Sequence, residues 1–434
     1  MKIHDNHKRI FNLALAKFIG FYQVLDIEKV TFLGRRNVRY RIFVLLIVYE
    51  CLIAAMMLLN GLYYSKNNIT ESILYTGFVI NMFYASYKMY IVLTRSKDIW
   101  DCLSITQYDF TLYDHRDRRI ILDLWRNRSI WLTSTFMIFS FVMVTFYVTC
   151  PLAFNNTFIV MKNRDGSTST YRMNVLNLYL FIPEEAYNNT YFNVFYIIEA
   201  SGTYVLVLFV IIFDTIVMTL CLALSCQLHM NFAAFESVGH TSVVDSPNNN
   251  NDNIDNKIKL PNEYINGIAM YNNLKTIITD HQNVLKKYDE FLSIFKPIML
   301  LEIFVLSYAI IVLWIIFLTS FIVGEFTESM GVTSMQTGFA IPFCVIQLFM
   351  SCFVFDILHN KKDSMTFSLY SCNWTELFDM KCKKLVFLTM GMNDAHHQKL
   401  QYTRTRIINL EMFYQTIRVC YSIISVVINY RKNN

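Results

Sequence analysis

Six polar residues near the C-terminus, Glu411, Gln415, Arg418, Ser422, Ser425 and Asn429, follow one another at intervals of 4, 3, 4, 3 and 4. That spacing places them on one stripe of an α-helix. Two kinds of chemistry are open to such a stripe in an otherwise apolar segment. It lines an aqueous path along which ions move, or it joins neighbouring helices through hydrogen bonds. Bond-making chemistry has no comparable basis. The chain holds no phosphate-cradling glycine loop, no HExxH and no Gly-x-Ser-x-Gly, and its one histidine pair is His396-His397. Adjacent residues point different ways on a helix, so no metal site, no cofactor and no enzyme are expected.

A second group of residues suits ligand binding. Phe78, Asn81, Met82, Phe139, Phe146, Tyr147, Tyr204, Phe339 and Phe343 lie in four apolar segments with few other polar atoms. An apolar, aromatic cavity with one or two hydrogen-bonding groups is what a small lipophilic molecule needs. Tyr147, Tyr204 and Asn81 are the candidate hydrogen-bond donors. Taken singly, each of these residues more often serves helix packing than ligand contact. Four charges also fall in apolar segments: Lys88 and Glu302 near segment ends, from which they can snorkel to an interface, and Glu50 and Asp214 deeper, where each requires a buried partner.

The elements that must position these residues follow from composition. The chain is 54% hydrophobic but only 16% charged, against about 25% for a soluble protein. A net charge of +5 without basic runs interleaved with aromatics excludes a nucleic-acid partner. Crossing a bilayer takes about 20 mostly apolar residues. Seven segments qualify, at 42–62, 73–93, 130–150, 204–226, 298–323, 337–357 and 407–428, which predicts an all-α membrane protein. With the N-terminus inside, the inner segments hold 29 of the 38 basic residues and the outer segments 6. Basic loops stay in the cytoplasm, so the N-terminus is expected inside and the C-terminus outside, opposite to a G-protein-coupled receptor.

The organisation expected is a cytoplasmic segment 1–41 and helices one to five within 42–323, with a long cytoplasmic connection at 227–297. The sixth helix (337–357), a cytoplasmic anchor segment (358–404) and a last, pore-lining helix (405–430) follow. Ile10, Phe11, Leu13, Leu15, Phe18 and Phe21 read as an amphipathic helix on the membrane surface. The run Asn248–Asn251 has the composition of a disordered loop, whereas 263–295 and 374–389 have helical periodicity. The outer loops read as modest. Sequons at Asn68, Asn155 and Asn188 fall outside, and those at Asn127 and Asn373 inside. Ten cysteines, most in apolar runs, imply neither zinc nor a disulfide framework.

The C-terminal quarter resembles the insect odorant receptors. The matching residues are Phe367-Ser368-Leu369-Tyr370-Ser371-Cys372-Asn373-Trp374, similar to the family's Tyr-x-x-x-Trp segment, and Lys383-Lys384-Leu385-Val386-Phe387-Leu388, similar to its basic-then-apolar run. Arg418-Val419-Cys420-Tyr421-Ser422 resembles its closing Thr-Tyr-Ser pattern, with Cys420 in place of Thr. Lys88 followed by Arg95-Ser96-Lys97 is also similar. The resemblance implies a ligand-gated, non-selective cation channel of four subunits in the plasma membrane of olfactory sensory neurons. It implies an odour-specific subunit with a co-receptor as partner, a small volatile hydrophobic ligand, and contact with membrane lipid and permeating cations. It also implies Val426 at the constriction and Asn429 at the outer pore ring, with Ser422 and Ser425 on the same pore face. A gustatory-type receptor channel and a secondary transporter are the alternatives. Transporters carry paired repeats and interrupted midplane helices, and neither is visible here.

Overall fold

The computed structural model describes residues 9–11, 16–17, 20, 31–32, 35–36, 38–114, 117–154, 157–163, 165–179, 182–238, 262–322, 328–372, 380–395 and 407–433. The described residues are mainly helical. The helices are α1 (Val38–Tyr64), α2 (Ile69–Thr94), the short α3 (Ser96–Cys102), α4 (Arg118–Ala153), α5 (Phe192–Ser237), α6 (Asn262–Ile322), α7 (Glu328–Ser371), α8 (Met380–Ala395) and α9 (Leu410–Asn433). The seven expected spans fall on α1, α2, α4, α5, α6, α7 and α9. Among the described residues, five helical stretches are long and apolar enough to cross a membrane: Tyr40–Tyr64, Arg118–Ala153, Ala186–Ser237, Ile268–Leu318 and Gly331–Ser371. In α2, Asn81, Lys88 and the tyrosines dilute the apolar run, and in α9 the polar stripe does so.

α5 is the central helix. It packs against α1, α2, α4, α6 and α7. A helix that is apolar all round belongs inside a bundle, and the unbroken run Phe209–Phe213 followed by Ile216–Met218 gives α5 that character. Gly202 admits the close approach of α1: a Cβ built there would lie 2.5 Å from Ile53 Cδ1. α6 has 61 residues, about 90 Å at 1.5 Å per residue, against a hydrocarbon core of about 30 Å. Much of α6 therefore projects beyond any bilayer, and the stretch 263–295 is part of that one helix. α8 packs on α6 and α7; it covers the described part of the helix expected at 374–389, and 373–379 lie outside the described residues. So do 248–251 and most of the N-terminal amphipathic segment, of which Ile10 and Phe11 are described and buried.

The segment between α4 and α5 is a built cap, not the modest loop expected. Strands Phe158–Lys162 and Thr168–Arg172 pair antiparallel from Phe158↔Arg172 to Lys162↔Thr168. Behind them Tyr64, Tyr171, Tyr179 and Tyr187 stack and abut edge to face. Burial holds the Tyr179 phenol well above its ordinary pKa. The turn 174–178 is fixed by one carboxylate. Glu199, fully buried on α5, accepts the backbone N–H groups of Leu176 (2.6 Å), Asn177 (3.0 Å) and Leu178 (2.9 Å). Asn177 sits at φ 57°, a conformation Asn tolerates because its short side chain bonds locally; here its Oδ1 accepts the Asn174 N–H at 2.8 Å. The Asn177 carbonyl in turn accepts Asn60 Nδ2 and Tyr75 Oη. The Asn188 side chain bonds Arg172 N and Thr170 O, both at 2.8 Å, so its sequon is already used by the cap.

Lys88 is the largest departure from expectation. It does not snorkel. Its side chain is 0% exposed, and Nζ lies 2.8 Å from Asp214 Oδ1 and 3.1 Å from Glu302 Oε1. Glu302 is likewise buried and not at an interface. Gln347 Nε2 donates to Asp214 Oδ2 at 2.8 Å and to Glu302 Oε1 at 3.3 Å, and Ser351 Oγ lies 3.3 Å from the same Glu302 oxygen. The Lys88 ammonium also sits over the rings of Tyr84 and Phe213, 5.0 and 4.8 Å from their centroids. Asp214 thus has the partner its depth demanded. Both carboxylate oxygens of Glu50, by contrast, lack a hydrogen-bond partner among the described residues.

Stripping one member from a buried ion cluster leaves uncompensated charge and costs roughly 3–5 kcal/mol. Lys88→Met is expected to lower the melting temperature and surface yield of the full-length protein sharply. Adding Asp214→Leu and Glu302→Leu to it should recover part of the loss. A thermal melt in detergent checks this, and an unchanged Lys88→Met melt would contradict it.

Candidate functional site

A cavity of about 110 Å³ lies between α2, α4, α5, α6 and α7. An apolar cavity of about 150 Å³ holds benzene, so this one is somewhat smaller than a one-ring molecule, and a larger volatile enters it by displacing wall side chains. Its wall is mostly aliphatic and aromatic. α2 contributes Leu74, Gly77, Phe78, Asn81 and Tyr84; α4 contributes Met143, Val144 and Tyr147; α5 contributes Thr203, Leu206, Val207 and Val210. α6 adds Leu306, Ala309, Val312 and Leu313, and α7 adds Phe339, Ala340, Phe343, Cys344 and Gln347. The spacing on α2 (74, 77, 78, 81) is that of a single helical face.

Five of the nine expected residues, Phe78, Asn81, Tyr147, Phe339 and Phe343, are in this wall. Phe78 and Tyr147 approach each other across it, with ring centroids 6.1 Å apart. The other four are displaced, three of them by one helical position. Met82 follows Asn81 and is buried away from the cavity. Phe146 precedes Tyr147 and is 52% exposed, stacked at 5.3 Å on the back of Phe339. Tyr204 follows Thr203, and its hydroxyl reaches Thr145 Oγ1 at 3.4 Å. Phe139 lies one turn from Met143, beyond the cavity. A shift of one residue rotates a side chain by about 100°, enough to move it out of the wall.

Four residues of α6 went unrecognised because beyond Glu302 that span is almost wholly apolar and no periodicity marks its inward face. Tyr84 and Gln347 were missed too, although a tyrosine and a glutamine inside apolar segments are a usable signal. They form the polar end of the cavity. Tyr84 Oη donates to Ile298 O at 3.0 Å, and Gln347 holds the Lys88 cluster, so the floor of the cavity is the upper face of that cluster. At the cap end, Tyr147 Oη donates to Val175 O at 3.3 Å. Tyr147 and Asn81 are therefore not simple donors toward the cavity: Asn81 Nδ2 already donates to Gly77 O at 2.8 Å.

α9 leans on α6 and α7 through one face. Met412, Cys420 and Ile424 are buried on that face, Phe413 contacts Phe349 at 5.5 Å, and Cys420 Sγ lies 3.9 Å from Ser307 O. Glu411, Arg418, Ser422, Val426 and Asn429 are exposed, with Ser425 half-buried beside Ile424. The described polar bonds of the stripe stay within α9: Gln415 Nε2 donates to Glu411 Oε1 at 3.1 Å, and Ser422 Oγ to Arg418 O at 2.9 Å. The stripe is thus presented outward from the subunit, next to the exposed Tyr414, Val419 and Tyr421.

Solved structures share this fold. The insect olfactory receptor OR5 from Machilis hrabei, solved in complex with eugenol, superposes with a TM-score of 0.68 at 12% identity, covering 96% of this chain and 99% of that chain. A second structure of the same receptor gives a TM-score of 0.67 at 11% identity, covering 95% and 97%. At these identities the likeness is one of fold. No curated protein sequence matches the chain. The model of the 7tm odorant receptor family, however, matches residues 68–421. The chain belongs to the odorant receptor family.

Proposed function

We propose that this chain is the odorant-binding subunit of a ligand-gated, non-selective cation channel, assembled as a tetramer with a co-receptor in the plasma membrane of olfactory sensory neurons. The observation that carries the reading is the cavity: an apolar, aromatic chamber walled by five helices, with few polar groups. A solved receptor of the same fold is in complex with eugenol, which supports a small organic ligand here. The apolar wall supplies affinity at about 25 cal/mol per Å² of buried area, so affinity follows the fit of the ligand's carbon skeleton.

The pore is assigned to α9. Its polar stripe bonds to no other helix among the described residues, and lipid is a costly neighbour for Arg418 and Glu411. Facing the equivalent helix of other subunits around an aqueous axis resolves that cost. Ser422, Ser425 and Asn429 then line the path, and Val426, 67% exposed in the single subunit, forms the apolar constriction. The basic-residue asymmetry places the N-terminus in the cytoplasm and the capped end, with its hairpin, outside.

Three outcomes test these assignments. Phe78→Ala and Tyr147→Ala each remove a wall aromatic, a loss of roughly 1.5–3 kcal/mol of burial, and should raise the half-maximal ligand concentration about tenfold or more. Tyr204→Ala, outside the wall, should shift it little; dose–response currents in cells co-expressing a co-receptor give the comparison, and equal shifts for all three would move the ligand elsewhere. Val426→Ala weakens a dry seal and should raise ligand-free current in voltage clamp, whereas unchanged basal current in complexes containing the variant would displace the gate. An epitope tag at Ser167 should be stained on intact cells and one at Ser246 only after permeabilisation; surface staining at Ser246 would reverse the orientation.

A further inference from the structure

The polar side chains around the cavity have already committed most of their hydrogens to the protein. Tyr84 Oη donates to Ile298 O, Tyr147 Oη to Val175 O and Thr203 Oγ1 to Glu199 O, at 3.0, 3.3 and 2.9 Å. A hydroxyl has one hydrogen and two lone pairs, so each of these three groups is left as an acceptor. Gln347 is committed in the same way. Its amide nitrogen faces Asp214 Oδ2 at 2.8 Å and Glu302 Oε1 at 3.3 Å. The two carboxylates fix that orientation, because the amide oxygen in its place would face two anionic groups. What Gln347 retains is its carbonyl oxygen. Asn81 spends one amide hydrogen on Gly77 O. The donors that remain around the cavity are the second Asn81 hydrogen and the weak Cys344 thiol, against acceptor oxygens on Tyr84, Tyr147, Thr203, Gln347 and Asn81.

We propose that this imbalance sets the chemical class of the ligand: the cavity selects small apolar alcohols and phenols over ethers, esters and ketones of the same size. The proposal rests on the reading of the cavity as the ligand site. A ligand hydroxyl brings the hydrogen that the wall lacks and meets an acceptor at either end of the cavity. An ether or carbonyl oxygen brings a further acceptor, leaves water behind, and finds one amide hydrogen and a thiol to replace it. Burying a polar oxygen without a partner is the costlier outcome. The selectivity originates in the Lys88 cluster, which turns Gln347 so that its hydrogens point away from the ligand, and in the backbone carbonyls that absorb the hydroxyl hydrogens.

Constitutional isomers isolate the effect, because they keep the atom count and change only the donor. Suitable pairs are 3-phenylpropan-1-ol with 2-methoxyethylbenzene, 1-octanol with heptyl methyl ether, and 4-ethylphenol with 4-methylanisole. Half-maximal concentrations are measured as current in cells co-expressing a co-receptor and as thermal stabilisation of the purified full-length protein, for the native chain and for Phe343→Leu. The hydroxyl member of each pair is expected to act at about 3- to 10-fold lower concentration, the ratio one net hydrogen bond supports. Phe343→Leu should weaken both members together and leave that ratio in place. Ethers that match or exceed the alcohols while Phe343→Leu still weakens both would overturn the proposed selectivity and leave the site intact. If Phe343→Leu moves neither member, or no member of any pair binds, the cavity is not the ligand site and the selectivity falls with it.

Discussion

The ammonium of Lys88 between Asp214 and Glu302 fixes much of what the bundle does. One cation faces two carboxylates in a fully buried site; the Gln347 amide adds hydrogens to Asp214 Oδ2 and Glu302 Oε1 and the Ser351 hydroxyl one more to Glu302 Oε1, while Glu302 Oε2 has no partner among the described residues. Such a cluster is weak evidence of stability, since desolvation consumes most of the Coulomb gain. Its effect is on register. Lys88 comes from α2, Asp214 from α5, Glu302 from α6, and Gln347 and Ser351 from α7. An apolar interface between these helices tolerates sliding or rotation, because one aliphatic contact substitutes for another. A bidentate arrangement of charges does not. The four helices that form most of the cavity wall are therefore held at a common level, and the wall inherits that alignment.

A second polar knot performs the same service at the other end. Glu199 gathers the turn 174–178 on its carboxylate, while Tyr75 and Asn60 bind the Asn177 carbonyl from α2 and α1. Glu199 and Asp214 lie on one helix, fifteen residues apart in the sequence, which is about 22 Å along α5. α2 likewise carries Tyr75 to one knot and Lys88 to the other. The cavity lies between the two. Its walls are soft and apolar, but both of its ends are pinned by hydrogen bonds that have no water to replace them. A ligand placed there would work against side-chain packing, with sliding of the helices along their axes opposed at both ends.

The sequence made the helices and their charge asymmetry legible because long apolar runs and basic loops are one-dimensional signals. It also pointed to four of the five helices around the cavity through their aromatic residues. Which residue of each pair faces inward was not legible. Asn81 against Met82, Tyr147 against Phe146 and Thr203 against Tyr204 differ by one position, and only the neighbouring helices decide the rotation. The ion cluster was hidden for a related reason. Lys88 and Glu302 stand near the ends of their apolar runs, where snorkelling is the cheaper solution for an isolated helix; the partner that changes the balance, Asp214, is 126 residues away from Lys88. The cap escaped notice because its order comes from a carboxylate collecting backbone N–H groups across more than twenty residues, which leaves no periodic trace.

The same packing places the polar helix α9 one layer from the cavity. Ser307, whose carbonyl meets Cys420 of α9, directly follows Leu306 of the cavity wall. Phe349, which meets Phe413 of α9, is two residues beyond Gln347. Both contacts lie on α6 and α7, next to the level fixed by the Lys88 cluster. A ligand that displaces the wall cannot shift α6 or α7 along its axis without breaking buried charge pairs, so rotation or tilt about that level is the less costly response. Either motion changes how Ser307 and Phe349 meet α9. Under the proposed ligand site and pore, the cluster would serve as a fulcrum, limiting the helices to movements about its level.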